Sequence, residues 1–107
     1  ALDLIGQLYA VEAEVKHLDP QQRLAERQEK SKPVCEALRQ WLIDHLAKVP
    51  PGTKIANAIE YSLNRWAALT HFLKDGRVPI DNNHIENRIR PIAVGRGNLR
   101  IPPEFFH

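Results

Sequence analysis

Several of the usual handles on function are missing from this 107-residue sequence. It holds one cysteine, Cys35, which excludes an internal disulfide and every cysteine-based zinc site. Cys35 falls on an apolar helical stripe, where a buried packing role is expected. Methionine is absent, and a first residue other than Met reads as the mark of a piece of a longer chain. No segment approaches the roughly 18 consecutive apolar residues of a membrane span, and no signal pattern precedes the first helix. A cytoplasmic location is therefore expected. Charge of one sign is scarce too: 15 Lys and Arg stand against 13 Asp and Glu, a net +2. Dedicated nucleic-acid binders usually show a larger basic excess, so any such role must come from local clustering. The five histidines, His17, His45, His71, His84 and His107, are too scattered to make a zinc site.

What is present is helical periodicity. Leu4, Leu8, Val11, Val15 and Leu18 mark one face of a helix over about residues 2–18. Asp19 then offers a cap, Pro20 a first helical position and Gln22 a capping-box partner for a second helix to about residue 30. Ser31-Lys32-Pro33 is expected to interrupt the chain, with Ser31 capping a third helix to residue 49. Val34, Leu38, Trp41, Leu42, His45 and Val49 form its inner face. Pro50-Pro51-Gly52 is a break, and residues 50–53 should form an exposed turn. Thr53 can cap a helix running to Asp75, with Ile55, Ile59, Leu63, Trp66, Thr70 and Leu73 turned inward. Gly76 fits a left-handed position closing that helix. Residues 77–80 read as extended, and a last helix should start near residues 81–83 and stop at Arg90, before Pro91. Trp41 and Trp66 are expected to be largely buried anchors. The fold class is all-α with one short extended segment.

Residues 80–91, Ile80-Asp81-Asn82-Asn83-His84-Ile85-Glu86-Asn87-Arg88-Ile89-Arg90-Pro91, crowd polar groups onto the start of a short helix. Ile85 and Ile89 are one turn apart and must face a core, while Glu86 and Arg90 project together from another side. A carboxylate flanked by amides and arginines suits a divalent cation beside phosphate. Its oxygen is a hard ligand for magnesium or manganese, and arginines grip phosphate bidentately. The same residues also read as a capping box, with Asn83 at the cap, Glu86 three residues on and Arg90 a surface ion-pair partner. Upstream, Arg23, Arg27 and Lys30 form a basic stripe able to track a phosphate backbone, interleaved with Glu26 and Glu29 as on a solvated mixed-charge face.

The pattern Ile80-Asp81-Asn82-Asn83, Glu86-Asn87, Ile89-Arg90-Pro91 and Gly95-Arg96 resembles the terminal signature of the insertion sequence family 66 transposases. The resemblance extends upstream through Leu8-Tyr9 with Glu12, Arg23 with Arg27, Trp41-Leu42, and Tyr61 with Leu63-Asn64-Arg65-Trp66, over about residues 1–98. It implies the C-terminal portion of a ribonuclease-H-like DDE core, with a helical insertion over residues 1–76 and the Glu-bearing segment over 77–98. Residues 99–107 depart from the family pattern and read as a frameshifted or truncated tail. Glu86 would be the third acid of the DDE triad and a ligand of magnesium or manganese in the intact enzyme. Asn82, Asn83 and Asn87 would orient it, and Arg88, Arg90 and Arg96 would contact DNA. The implied reaction is two-metal cutting and rejoining of DNA phosphodiesters. The implied partners are transposon ends, target DNA, the rest of the transposase, accessory transposition proteins and a second copy of the chain, with no membrane. Neither Asp3 nor Asp19 lies on a strand-like segment, so the other two catalytic carboxylates are not in this sequence. The fragment alone should be inactive and hold no metal. Two other readings stay open: a noncatalytic helical module binding DNA or protein, and the remnant of a degraded element.

Overall fold

A computed structural model describes residues 4–93. Among these residues every regular element is helical and there is no β-strand. Helix α1 spans Leu4–Val15 and buries Leu4, Ile5, Leu8, Val11 and Val15, the face its period marks. Its last carbonyls, left without intrahelical donors, are collected by one side chain. Arg23 donates from Nε to Val15 O (3.2 Å) and from Nη2 to Lys16 O (3.3 Å) and Leu18 O (2.7 Å). Helix α2, Pro20–Glu26, starts as the sequence indicates: Asp19 Oδ1 accepts from the Gln22 N–H at 2.8 Å, with Pro20 in the first turn. Gln22 contributes its backbone there, and its side chain stays exposed.

The expected interruption at residues 31–33 does not occur. A π-helical segment, Arg27–Ser31, leads from α2 directly into α3, Lys32–Leu46. Ser31 is helical and fully buried and caps nothing. The physical reason is Pro33. In a regular α-helix its ring would strike the carbonyl four residues back, whereas in the widened turn Lys32 N–H bonds Arg27 O, five residues back. The same device recurs at the chain's other mid-helix proline. The last helix begins with α6, Asn82–His84, passes through a second π segment, Ile85–Ile89, and continues over residues 90–93. Arg90 N–H bonds Ile85 O, again five residues back and one residue before proline. The expected stop at Arg90 is thereby avoided.

Between these rods, α4 covers Lys54–Asn64, with Thr53 Oγ1 accepting from Ala56 N–H at 3.2 Å. It follows an exposed 50–52 turn in which Gly52 has φ +81°. The single helix expected to residue 75 is instead broken at Arg65 and Thr70, both near φ −100° and ψ 10°. The pieces are α5, Trp66–Leu69, and a 3₁₀ turn, His71–Leu73. Each break rotates the inner face, so Leu69 and Phe72 are buried where Thr70 and Trp66 were expected to be.

Two apolar clusters hold the molecule together. The larger joins α1, α3 and residues 69–73 with Ile80, Ile85 and Ile89, and the smaller joins Leu42, Ile59 and Ile92. Trp41 and Trp66 are half-buried rather than largely buried, because each roofs the seam between the two clusters. Cys35 is buried as expected, and desolvation pushes its thiol up to about 12. No helix among the described residues is long and apolar enough to cross a membrane.

Candidate functional site

The last helix is fixed from both clusters, by Ile85 and Ile89 in one and Ile92 in the other. Glu86 projects from this anchored helix with its side chain 45 % exposed. It is not the capping-box residue that the sequence left open. Asp81 caps this helix, its Oδ1 accepting from the His84 N–H at 3.0 Å. Asn83 has another partner: its Oδ1 accepts from Asn87 Nδ2 at 2.6 Å. Glu86 therefore has no backbone duty. Its carboxylate pairs with Arg90, whose Nε lies 3.1 Å from both of its oxygens. An exposed pair of this kind contributes about 0–1 kcal/mol and is readily exchanged for another partner.

Glu86 stands at the edge of a cleft of about 460 Å³ that also takes in Tyr9, Glu12, Arg27 and Asn82. The Tyr9 hydroxyl is buried and has no partner of standard hydrogen-bond geometry among the described residues. It nonetheless lies close enough to Glu86 to feel it: desolvation first, then hydrogen bonding and charge from Glu86, push Tyr9 up to about 12. The second acid of the cleft is already used. Glu12 accepts from Arg27 Nε at 2.9 Å and from Nη2 at 2.7 Å, and Arg27 Nη1 donates to Phe72 O (2.9 Å) and Val78 O (2.8 Å). With Arg27 only 2 % exposed, this pair is a buried crosslink of α1, the long helix and the 72–78 segment. Of the Arg23, Arg27 and Lys30 stripe, Lys30 keeps the solvated mixed-charge face, pairing with Glu14 and Glu26, whereas Arg23 serves carbonyls and Arg27 serves carbonyls and the part-buried Glu12 carboxylate.

The structure thus brings together Glu86, Asn82 and Arg90 of the residues singled out from sequence. Asn83 and Asn87 bond each other, and Arg88 lies on a different side, its guanidinium 4.5 Å from the Tyr61 ring centre. Arg96 is outside the described residues. Tyr9 and Glu12 also line the cleft, although the sequence pattern does not mark them as site residues. Their signal was present, since both sit on α1 beside its buried stripe and recur in the family pattern, but only packing aims them at Glu86. Among the described residues no three His, Cys, Asp or Glu side chains are grouped to hold a metal ion. Glu86 fits one oxygen ligand of such a site: exposed, rigidly mounted and free of capping.

The chain is similar to three proteins of Sinorhizobium fredii (strain NBRC 101917 / NGR234). It is 39 % identical to uncharacterized protein y4hP over 98 residues, 92 % of this chain and 18 % of that protein. It is 41 % identical to uncharacterized protein y4qI over 92 residues, 86 % and 17 % of the two chains. It is 30 % identical to uncharacterized protein y4jD over 97 residues, 91 % and 19 %. The chain spans less than a fifth of the length of these relatives. No solved structure matches it. The family model described as transposase IS66 family matches residues 1–101, nearly the whole sequence, and the chain belongs to that family.

Proposed function

We propose that this chain is the Glu-bearing terminal part of a DDE transposase that cuts and rejoins DNA phosphodiesters, with Glu86 as one of three metal-binding carboxylates. Residues 1–76 are the helical insertion, residues 77–98 complete a ribonuclease-H-like core, and the two remaining acids come from the rest of the protein. The observation that carries the reading is the release of Glu86 from structural work. Asp81 caps the helix, Asn83 pairs with Asn87, and Glu86 is left at a cleft edge on a doubly anchored helix. Magnesium or manganese held by the full set of carboxylates supplies activation of a water or 3′-hydroxyl and stabilisation of the leaving oxygen.

Within that site Glu86 presents a hard oxygen ligand, and Arg90 holds its carboxylate in place until the ligand set is complete. Asn82, in the same cleft, orients the carboxylate or a water beside it. Tyr9 covers the carboxylate from the insertion side and limits water there. One carboxylate cannot hold two metals, so the chain by itself is inactive.

Glu86→Gln keeps the size and one accepting oxygen while removing the charge. In the full-length transposase it is expected to abolish strand transfer. In this chain it should shift the thermal midpoint very little, because only an exposed ion pair is lost, about 0–1 kcal/mol. Transposition and thermal melting on the same variant check this; a variant that transposes normally removes Glu86 from the metal site.

A further inference from the structure

On the other side of the Glu86 helix, Tyr61 of α4 carries two guanidinium groups. Arg65 lies 4.0 Å and Arg88 4.5 Å from its ring centre, and the His84 ring stacks on it at 5.7 Å with a 6° interplanar angle. His84 is in turn tied to α4 by a 3.1 Å contact between Nε2 and Ser62 Oγ. The cluster therefore joins α4 to the terminal helix. Glu86 and Arg88 are two positions apart, which places them on different sides of that helix.

Two features together set these arginines apart from the others described: neither is paired, and both are held over an aromatic ring. Arg23, Arg27, Arg77 and Arg90 are committed to carbonyls or carboxylates. Arg65 and Arg88 are exposed and have neither an ion pair nor a side-chain hydrogen bond among the described residues. A guanidinium held over a ring spends none of its N–H donors on a hydrogen-bond acceptor, so they stay available to a ligand. It also orders a long side chain, so less freedom is lost when a ligand arrives. Two like charges over one ring repel each other in the free chain, and a polyanion would relieve that repulsion. Arg39 is exposed and equally without a bonded partner, but no ring orders it. Asp81, the carboxylate whose charge acts on His84, already accepts the helix cap.

We propose that Tyr61, Arg65 and Arg88 form a phosphate-binding platform that takes the backbone of duplex DNA, apart from the Glu86 cleft. The inference rests on the transposase reading for the identity of the polyanion, while the geometry of the platform stands independently of Glu86. Phosphate oxygens accept bidentate hydrogen bonds from both guanidinium forks, and no base is read.

The test is fluorescence anisotropy of a short labelled duplex with this 107-residue chain over a salt series. Each phosphate contact contributes about 0.9 to the slope of log affinity against log salt. Arg65→Ala and Arg88→Ala should each lower the slope by about one and the double variant by about two, with binding at low salt at least about tenfold weaker. Tyr61→Leu keeps both charges and loses the ring, and should weaken binding while leaving most of the slope. Arg39→Ala should change neither. Circular dichroism checks that each variant is folded, and the two arginines, being exposed, keep the test valid should Tyr61→Leu unfold. An unchanged slope in the double variant, no duplex binding by the unaltered chain, or competition by polyglutamate as strong as by DNA would each overturn the proposal. The assay reads no cleavage, so its failure leaves the Glu86 reading intact, and inactive Glu86→Gln transposase leaves the platform intact.

Discussion

Glycine 76 shows how one residue can be required for a reason its position in the sequence hides. Standing after Asp75 it looks like the left-handed residue that closes a helix, yet its φ is not positive; among the described residues that conformation belongs to Gly52. Gly76 is needed because the backbone of Pro20 presses on it. A Cβ added there would sit 1.8 Å from the Pro20 carbonyl oxygen, and the Gly76 carbonyl also accepts from Arg23 Nη1 at 2.8 Å. Gly76→Ala must therefore push backbone against backbone, with an expected loss of about 1–3 kcal/mol. Gly76→Asn separates the two explanations. Asparagine tolerates a left-handed φ but still carries a Cβ, so it should be at least as damaging as alanine. Thermal melting of both variants checks this, and a rescue by asparagine would point back to backbone conformation. At Gly52 the order should reverse, since nothing lies within 4 Å of its added Cβ. At the same scale, Arg27 and Glu12 look from the sequence like surface charges and prove to be a buried bidentate pair.

The elements were largely legible where period and caps agree. The α1 stripe and the Asp19 and Thr53 caps are where the residue types put them. The departures gather at prolines, where one local sequence admits two solutions, and at Arg65 and Thr70, where the single helix expected to residue 75 breaks; the last helix starts within the expected 81–83. Pro33 and Pro91 can end a helix or be absorbed by a widened turn, and burial of the flanking faces decides for the second. Asp81 and Asn83 are both good caps, and Ile80, Ile85 and Ile89 must all reach one cluster. That requirement starts the helix after Asp81 and leaves Asn83 inside it. Asp81→Ala should accordingly destabilise the chain by about 0.5–2 kcal/mol. Asn83→Ala, losing one exposed side-chain bond, should stay within about 0.5 kcal/mol of the parent. Denaturant midpoints of the two variants measure the difference. Equal losses, or a larger one for Asn83→Ala, would contradict the cap assignment.

Across the whole molecule, the docking of the terminal helix on α4 carries a pH signature. His84 is half-buried there, and desolvation, assisted by Arg88 and Arg65 against the opposing pull of Asp81, lowers its pKa from 6.5. The unfolded chain then takes up the proton more readily than the folded one. The stability that neutral His84 contributes is complete above pH 6.5 and is lost as pH falls through its lower folded value. The thermal midpoint should therefore drop on mild acidification, before most carboxylates titrate. His84→Gln should remove that part of the drop, and melting both proteins across this range checks it. The same early drop in the variant would assign it to other groups.

By itself the sequence determined the helical class, the inward face of α1, two of the caps and the family signature that picks out Glu86. These depend on residue type at short spacing, and such spacing survives in any tertiary setting. The tertiary structure decided which charges are spent and which are free. Arg23 and Arg27 are consumed by carbonyls and a carboxylate 5 to 53 positions away, and Arg65 and Arg88 come to share one ring across 23 positions of chain. It also decided that Glu86 is relieved of capping and faced by Tyr9. A guanidinium's partner is set by whatever the fold brings within about 3 Å, and that distance is fixed by how the helices pack rather than by any local pattern.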